Sequence, residues 1–474
     1  MKHPRRFRSA FLPISPPQGV AGLALASEKA IKSWMFQCSM CGNCILQATA
    51  YICPMLCPKG LRNGPCGSGS EDQCCVNPGR PCVWHLIYRR AEAMENLEGL
   101  LEVQAPLDWS RVGHSTWFAL FQEARKRKLL TITALKPLRD WKKEVSILFR
   151  DMRQPAWWNG DQEHHPATSH EQVSSLQTAL MRGEFVVTSE FVPPTGVRLE
   201  DSAKKVESLR GRVHAVNVAE NPMATAHMSS LAGCQILKSL GLEPILQVTA
   251  RDYQRLILQS EVLGANALGI NNILCLTGDA PTAGRAPFMG LPFDLDATQM
   301  LWILRRLRDQ GLLLDGRQID DPPRIFLGAA GSPNDPNPTY DALRLEKKIN
   351  AGAQFIQTQL VYEGTIVERW LEALDKRDLL SKAHVLIGIS PLRSLQHAVF
   401  LQERIPDITI PSIIMRRFAE SPCPGRLGVD MALELIEEIR ALPGVSGVHL
   451  MALGETDTTN RLLDGLRAIM ESAS

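Results

Sequence analysis

The chain lacks a surplus of charge of either sign: 52 Lys and Arg stand against 50 Asp and Glu, a formal net charge of +2. That balance gives no electrostatic case for nucleic acid or an anionic membrane as partner. No apolar run approaches the roughly 20 residues needed to span a bilayer. The opening Met1-Lys2-His3-Pro4-Arg5-Arg6-Phe7-Arg8 is basic, but Pro13, Pro16 and Pro17 break up the residues after it, so a secretion signal is not expected. Neither a G-x-G-x-x-G turn nor a Walker-type loop occurs, which argues against a Rossmann or P-loop nucleotide site. A length of 474 residues predicts more than one core, roughly two to three domains.

Cysteine, by contrast, is plentiful and clustered. Of 12 cysteines, nine fall between Cys38 and Cys82. In a long chain such clustering points to metal or cluster ligation in a reducing compartment, here read as the cytoplasm, because disulfide scaffolds belong mostly to small secreted domains. The spacing is Cys38-x2-Cys41-x2-Cys44, then Cys53-Pro54-x2-Cys57-Pro58, Cys66, Cys74-Cys75 and Cys82. Overlapping C-x2-C units fit a single tetrahedral zinc poorly, whereas C-x2-C-x2-C followed by Cys-Pro is how chains wrap a [4Fe-4S] cube. Iron–sulfur is therefore favoured and zinc is the alternative; a purely scaffolding metal also stays open. Nine thiols exceed two four-cysteine sites by one, so one of the adjacent pair is a spare. The candidate ligands are Cys38, Cys41, Cys44, Cys53, Cys57, Cys66, Cys74 and Cys82.

Residues 1 to about 30 carry no clear periodicity, and no element is expected there. From Trp84 to about Gln104 the apolar residues Leu86, Ile87, Ala91, Met94, Leu97 and Leu101 recur near helical spacing and predict an amphipathic helix covering the cysteines. Seven of nine tryptophans precede residue 159, which supports a first domain over residues 1–160. A polar tract with His164, His165 and His170 reads as a linker at 161–174, with metal binding the less favoured reading.

Beyond it, over 175–474, short apolar runs alternate with amphipathic segments. Strands are predicted at 185–190, 214–219, 244–249, 272–277, 324–329, 354–360, 384–389 and 446–452, with helices at 253–263, 298–309, 341–351, 394–403 and 428–441 between them. Eight strands with intervening helices match an α/β fold, a (β/α)8 TIM barrel, preceded here by a small cysteine-rich domain. Barrel chemistry sits where strands end, so the first strand's Glu190 is a candidate, with a solvated or core-paired glutamate as the plain alternative. The other strands deliver Asn217, Glu220 and Asn221, then Gln247 and Thr249, then Thr277-Gly278-Asp279, then Gln357 and Gln359. The loop from Asp279 to Asp296, rich in proline and glycine, is a candidate lid or a plain surface excursion.

Ser189-Glu190-Phe191-x-Pro193-Pro194, Gln247-Val248-Thr249-x-Arg251-Asp252, Leu276-Thr277-Gly278-Asp279 and Asn350-Ala351-Gly352-Ala353 leading to Gln357-Thr358-Gln359 resemble methylenetetrahydrofolate reductase in order and spacing. Cys41-Gly42-x-Cys44, Cys57-Pro58-Lys59, Asn63-Gly64-Pro65-Cys66-Gly67 and Cys82-Val83-Trp84 resemble the cysteine-rich partner subunit of acetogen-type reductases, here fused to the barrel. The resemblance implies a flavin (FAD, with FMN as the other form) and reduction of 5,10-methylenetetrahydrofolate to 5-methyltetrahydrofolate. Glu190 matches the general acid that opens the folate's five-membered ring, Asp279 the acidic residue near flavin and pterin, and Gln359 a folate-contacting amide. Asn217, Gln247, Thr249, Arg251, Asp341 and Lys348 are the flavin candidates, Arg251, Lys348 and a Gly328-Ala329-Ala330-Gly331 turn serving the pyrophosphate. Gln247 stands where some members carry histidine, and Asn217 where some carry threonine. The cysteine module is expected to relay electrons or to dock a donor, whether NAD(P)H, ferredoxin or a flavoprotein. A homo-oligomer is compatible with the sequence. Two other readings stay open: the same chemistry run as methyl-folate oxidation, and a non-catalytic folate-binding partner of a methyltransferase.

Overall fold

In the computed structural model the described residues are 18–127, 144–198, 206–280, 291–405, 408–451 and 456–471, apart from positions 68, 70, 146, 152, 153, 156, 159, 161 and 168–170. Much of the candidate lid and His170 therefore lie outside the described residues.

Eight parallel strands close into a barrel in sequence order. They are β1 Val186–Phe191, β2 Ala215–Val218, β3 Pro244–Thr249, β4 Asn272–Leu276, β5 Phe326–Gly331, β6 Phe355–Leu360, β7 His384–Ile389 and β8 Val445–Leu450. The helices are α1 Gly19–Phe36, α2 Val83–Ala93, α3 Thr116–Lys126, α4 Ser175–Met181, α5 Ser230–Ser239, α6 Arg255–Ala267, α7 Ala297–Gln310, α8 Pro338–Ala351, α9 Gly364–Asp375, α10 Leu395–Arg404, α11 Ser412–Glu420, α12 Pro424–Arg440 and α13 Thr456–Glu471. Side chains alternate across each strand, so every second residue faces the barrel axis. The lowest inward layer is apolar, with Val186, Ala215, Ile245, Leu274, Phe326, Phe355 and Leu386 packed on Leu176 and Leu180 of α4, which plugs the floor. Apolar residues on the outward side of the strands meet the surrounding helices in the main core.

β5 begins two residues later than predicted, and the expected phosphate-binding turn is strand instead. Gly328, Ala329, Ala330 and Gly331 pair with Phe355, Ile356, Gln357 and Thr358 of β6. Gly328 suits this wall because a Cβ there would lie 2.2 Å from the Phe355 ring, which stacks on Phe326.

The cysteine-bearing segment is mostly loop and short 3-10 turns between α1, α2 and α3. Its helix from Trp84 stops at Ala93, short of the predicted end, and Glu95 takes a left-handed φ of 53°. The segment does not stand apart: Trp84, Ile87 and Tyr88 share the main core with the barrel helices. Trp158 stacks on Trp302 of α7 at 3.9 Å. The helix α1, unexpected from the sequence, buries Glu28 and Lys32, while Val20, Leu23, Trp34 and Met35 are exposed.

Candidate functional site at the barrel mouth

Above the apolar floor the axis carries a polar layer. Thr188 Oγ1 hydrogen-bonds His449 Nδ1 at 2.9 Å and accepts from Gln357 Nε2 at 3.3 Å, and Asn217 Nδ2 donates to Gln357 Oε1 at 2.6 Å. Burial alone drives the His449 imidazole down to about 3, so it is neutral. This network ties β1, β2, β6 and β8 and fixes the side-chain register one step below the mouth.

Two residues on from Thr188, the alternation brings half-buried Glu190 to the next layer, its Cα paired with that of Asn217. By the same step from Gln357, β6 brings Gln359, whose Oε1 accepts from Leu360 N at 2.9 Å. Asp279 is exposed just beyond β4, and its Oδ2 accepts from Met223 N of the β2–α5 loop at 2.8 Å. Gly278 before it has φ 84°, and a Cβ there would sit 2.9 Å from Arg251 Cβ, so the turn needs glycine. Glu190, Asp279 and Gln359 thus occupy one rim, with Asn217 and Gln247 buried at or below it.

The remaining candidates are engaged with protein groups. Thr249 Oγ1 donates to Asp252 Oδ2 at 2.9 Å; Arg251 pairs with the same carboxylate at 2.6 Å and donates to Asn221 O at 2.8 Å. Asp341 accepts from Ser332 N at 3.0 Å and Trp370 Nε1 at 2.8 Å and pairs with Arg344. Lys348 Nζ donates to Ala330 O at 2.7 Å, and burial pushes its ammonium down to about 7. Asp341 and Lys348 are buried where α8 backs β5, so they are brought together with each other and not with Glu190. A second rim carboxyl, Glu220, is raised mainly by burial, but Ser230 and Tyr253 hydroxyls already hold it. Ser390 Oγ and Asn334 Oδ1, near the ends of β7 and β5, are buried without a hydrogen-bond partner. Such orphaned atoms near strand ends leave hydrogen-bonding capacity for a polar ligand.

All nine clustered cysteines are free thiols. Cys38, Cys41, Cys44 and Cys53 line one small cavity with Lys32, Asn43 and Arg62. Burial pushes the Cys38 thiol up to about 11 and the Cys53 thiol up to about 12. Lys32 Nζ lies 3.7 Å from Cys44 Sγ and is held by Glu28 Oε1 at 2.5 Å and Thr116 Oγ1 at 2.7 Å. Burial opposes the Glu28 charge, yet hydrogen bonds from Lys32, Ser115 and Thr116 keep its carboxyl below the usual range. A second group gathers Cys57, Cys66, Cys75 and Cys82, with Cys66 Sγ and Cys75 Sγ 3.5 Å apart and Cys74 alongside. Among the described residues no three His, Cys, Asp or Glu side chains converge to hold a single metal ion.

The second group abuts the barrel. Arg62 N and Asn63 Nδ2 donate to Asp296 Oδ2 at 3.2 and 2.9 Å, and Phe293 N donates to Lys59 O at 3.0 Å. Lys59 Nζ donates to Gly278 O at 2.9 Å, directly before Asp279. Burial disfavours the Lys59 charge, but Cys66, Cys75, Cys57 and Asp279 more than reverse this and raise its affinity for the proton. Sequence reasoning gave Lys59 no role at the barrel; its placement between Cys-Pro and Gly60 was the available signal.

Residues 175–467 match the family model described as Methylenetetrahydrofolate reductase. The chain belongs to the methylenetetrahydrofolate reductase family. Residues 18–110 match a second model, described as Methylene-tetrahydrofolate reductase C terminal, although in this chain they precede the barrel. A probable methylenetetrahydrofolate reductase (NADPH) of Caenorhabditis elegans is 22% identical over 246 residues, covering 50% of this chain and 34% of that protein. Methylenetetrahydrofolate reductase (NADH) 1 of Arabidopsis thaliana is 23% identical over 325 residues, covering 63% and 51%. The chain thus spans about half or less of the length of these curated reductases. A solved Clostridium thermocellum protein, described as binding two copies of 5-methyl-5,6,7,8-tetrahydrofolic acid, aligns with 63% of this chain and 100% of its own at 15% identity, with a TM-score of 0.48. No described helix is long and apolar enough to cross a membrane.

Proposed function

We propose that this protein catalyses the flavin-dependent reduction of 5,10-methylenetetrahydrofolate to 5-methyltetrahydrofolate in the cytoplasm, with electrons delivered through its cysteine module. The observation that carries the reading is a family-matched barrel whose mouth gathers Glu190, Asp279 and Gln359 on one rim beside the second cysteine group.

Glu190 gives its proton to the nitrogen that leaves when the folate's five-membered ring opens. Gln359 turns from its own backbone to bind the pterin edge, and Asp279, held by Met223 N, orients it. Asn217 and Gln247 would offer amides to the flavin; Thr249 and Arg251 hold the β3 loop, and Asp341 and Lys348 brace β5. When bound, the flavin supplies hydride to the exocyclic carbon, and an iron–sulfur cluster supplies electrons one at a time.

The donor set favours clusters over zinc. Overlapping C-x2-C units at Cys38, Cys41 and Cys44 fit one tetrahedral zinc poorly. Four cysteines around one small cavity suit a cube held at its corners. The proposed sets are Cys38, Cys41, Cys44 and Cys53, and Cys57, Cys66 and Cys82 with one of the Cys74–Cys75 pair.

The test is anaerobic purification followed by iron, sulfide, zinc and flavin analysis and turnover of methylenetetrahydrofolate with a reduced viologen. Flavin, iron, sulfide and methyl-folate product are expected. Stoichiometric zinc without sulfide would remove the relay, and absence of product from fully loaded protein would remove the reductase reading.

A further inference from the structure

One charged side chain crosses from the cysteine module to the catalytic rim. Lys59 is 1% exposed, and its Nζ donates to Gly278 O at 2.9 Å. Its turn is seated tightly: Gly60 has φ 72°, and a Cβ there would lie 2.3 Å from Pro292 Cβ. Phe293 N, from the far end of the same barrel loop, donates to Lys59 O at 3.0 Å. The loop that carries Asp279 is therefore gripped from the module at both its described ends. Lys59 follows the proposed ligand Cys57 by two residues, and the Gly278 carbonyl that its ammonium reaches directly precedes Asp279.

A backbone carbonyl can be satisfied by a neutral amide, so a simple pin between Cys57 and Gly278 requires no charge. A buried ammonium beside several cysteines does something more: it stabilises whatever negative charge that site gains. We propose that Lys59 is a positioning residue that raises the reduction potential of the cysteine site nearest the barrel and holds the Gly278-Asp279 turn against substrate. The inference rests on the iron–sulfur reading above and deepens it by naming the side chain through which site and rim are coupled.

Lys59→Met keeps the length and loses the charge; Lys59→Arg keeps the charge. Both are purified anaerobically beside the wild type and compared by iron content, EPR-monitored potentiometry and steady-state kinetics with reduced viologen. Lys59→Met is expected to retain iron, to shift one cluster signal to a more negative potential while leaving the other in place, and to raise the KM for methylenetetrahydrofolate about tenfold. Lys59→Arg is expected to keep the wild-type potential while raising KM. Identical potentials in wild type and Lys59→Met overturn the inference, as do identical shifts in Lys59→Met and Lys59→Arg, because charge would then play no part. If Lys59→Met loses iron, the potential of Lys59→Arg decides: a wild-type value supports the proposal and a negative shift overturns it. Wild-type protein without iron and sulfide overturns both this inference and the reading beneath it.

Discussion

The barrel and the cysteine module bury opposite things. The barrel floor is closed by aliphatic and aromatic side chains packed on α4, and a hydrogen-bonded layer of Thr188, Asn217, Gln357 and His449 lies above that floor. The module buries Glu28, Lys32, Lys59, Arg62 and Asn63 among cysteines and short turns. A core of the first kind stabilises itself by removing apolar surface from water. A core of the second kind depends on every charge having its partner, and in the proposed reading on bound clusters. The two regions should therefore fail differently.

The sharpest separation comes from changing chemistry without changing either core. Glu190→Gln is expected to lower folate reduction by about 100-fold to 10,000-fold, the usual worth of a general acid, with flavin, iron and thermal midpoint unchanged. Steady-state assay and a melting curve check it. Wild-type turnover would remove Glu190 from the mechanism.

Next in size is an attack on the module alone. Cys53→Ser is expected to halve the iron content and to abolish turnover with a one-electron donor, while the far-ultraviolet circular dichroism of the barrel persists. Iron analysis and limited proteolysis track it, with cleavage confined to the module as the expected pattern. Uniform unfolding would mean that the barrel leans on the clusters as well.

Asp296 joins the regions: it caps α7 through Gln299 N and accepts from Arg62 N and Asn63 Nδ2. Asp296→Ala leaves those buried donors unpaired, and a loss of about 2–4 kcal/mol is expected, read by chemical denaturation. Asp296→Asn, which keeps a capping oxygen, should recover about half of it.

The smallest effect belongs to the polar layer. Burial holds His449 neutral down to about 3 in the fold, against the ordinary imidazole value of 6.5. Below about pH 6.5 the unfolded chain binds a proton that the folded chain refuses, so this contribution to stability is present above that pH and is lost as pH falls toward 3. Between pH 7 and 5 the denaturation midpoint of the wild type should fall more steeply than that of His449→Asn.

Why the barrel was readable and the module was not comes from the same contrast. Strands such as Pro244–Thr249 and His384–Ile389 announce themselves because burial there is apolar and continuous. β5 slipped by two residues because glycine and alanine, which make room for Phe355, carry no hydrophobic signal of their own. In α1 the buried face is a Glu28–Lys32 ion pair, so hydrophobic periodicity points the wrong way. At the mouth, Glu190 and Asp279 were legible because strand ends deliver side chains by rule. Asp341 and Lys348 were legible as polar residues on a helix, but not as groups buried behind β5, since their partners Trp370, Arg344 and Ala330 O are brought in by tertiary packing. Lys59 needed the same information: its acceptor lies more than two hundred residues away.

A single-turnover experiment bears most directly on the union of the two regions. Anaerobic protein is reduced by a one-electron donor, freed of excess donor, and mixed with methylenetetrahydrofolate, and 5-methyltetrahydrofolate is quantified beside the re-oxidation of the flavin and iron–sulfur spectra. Product is expected in proportion to the electrons stored in wild type, and none in Glu190→Gln despite equal reduction. Fully reduced wild-type protein that forms no methyl-folate, or a Glu190→Gln variant that forms as much as wild type, would contradict the proposed path from cysteine module to barrel mouth.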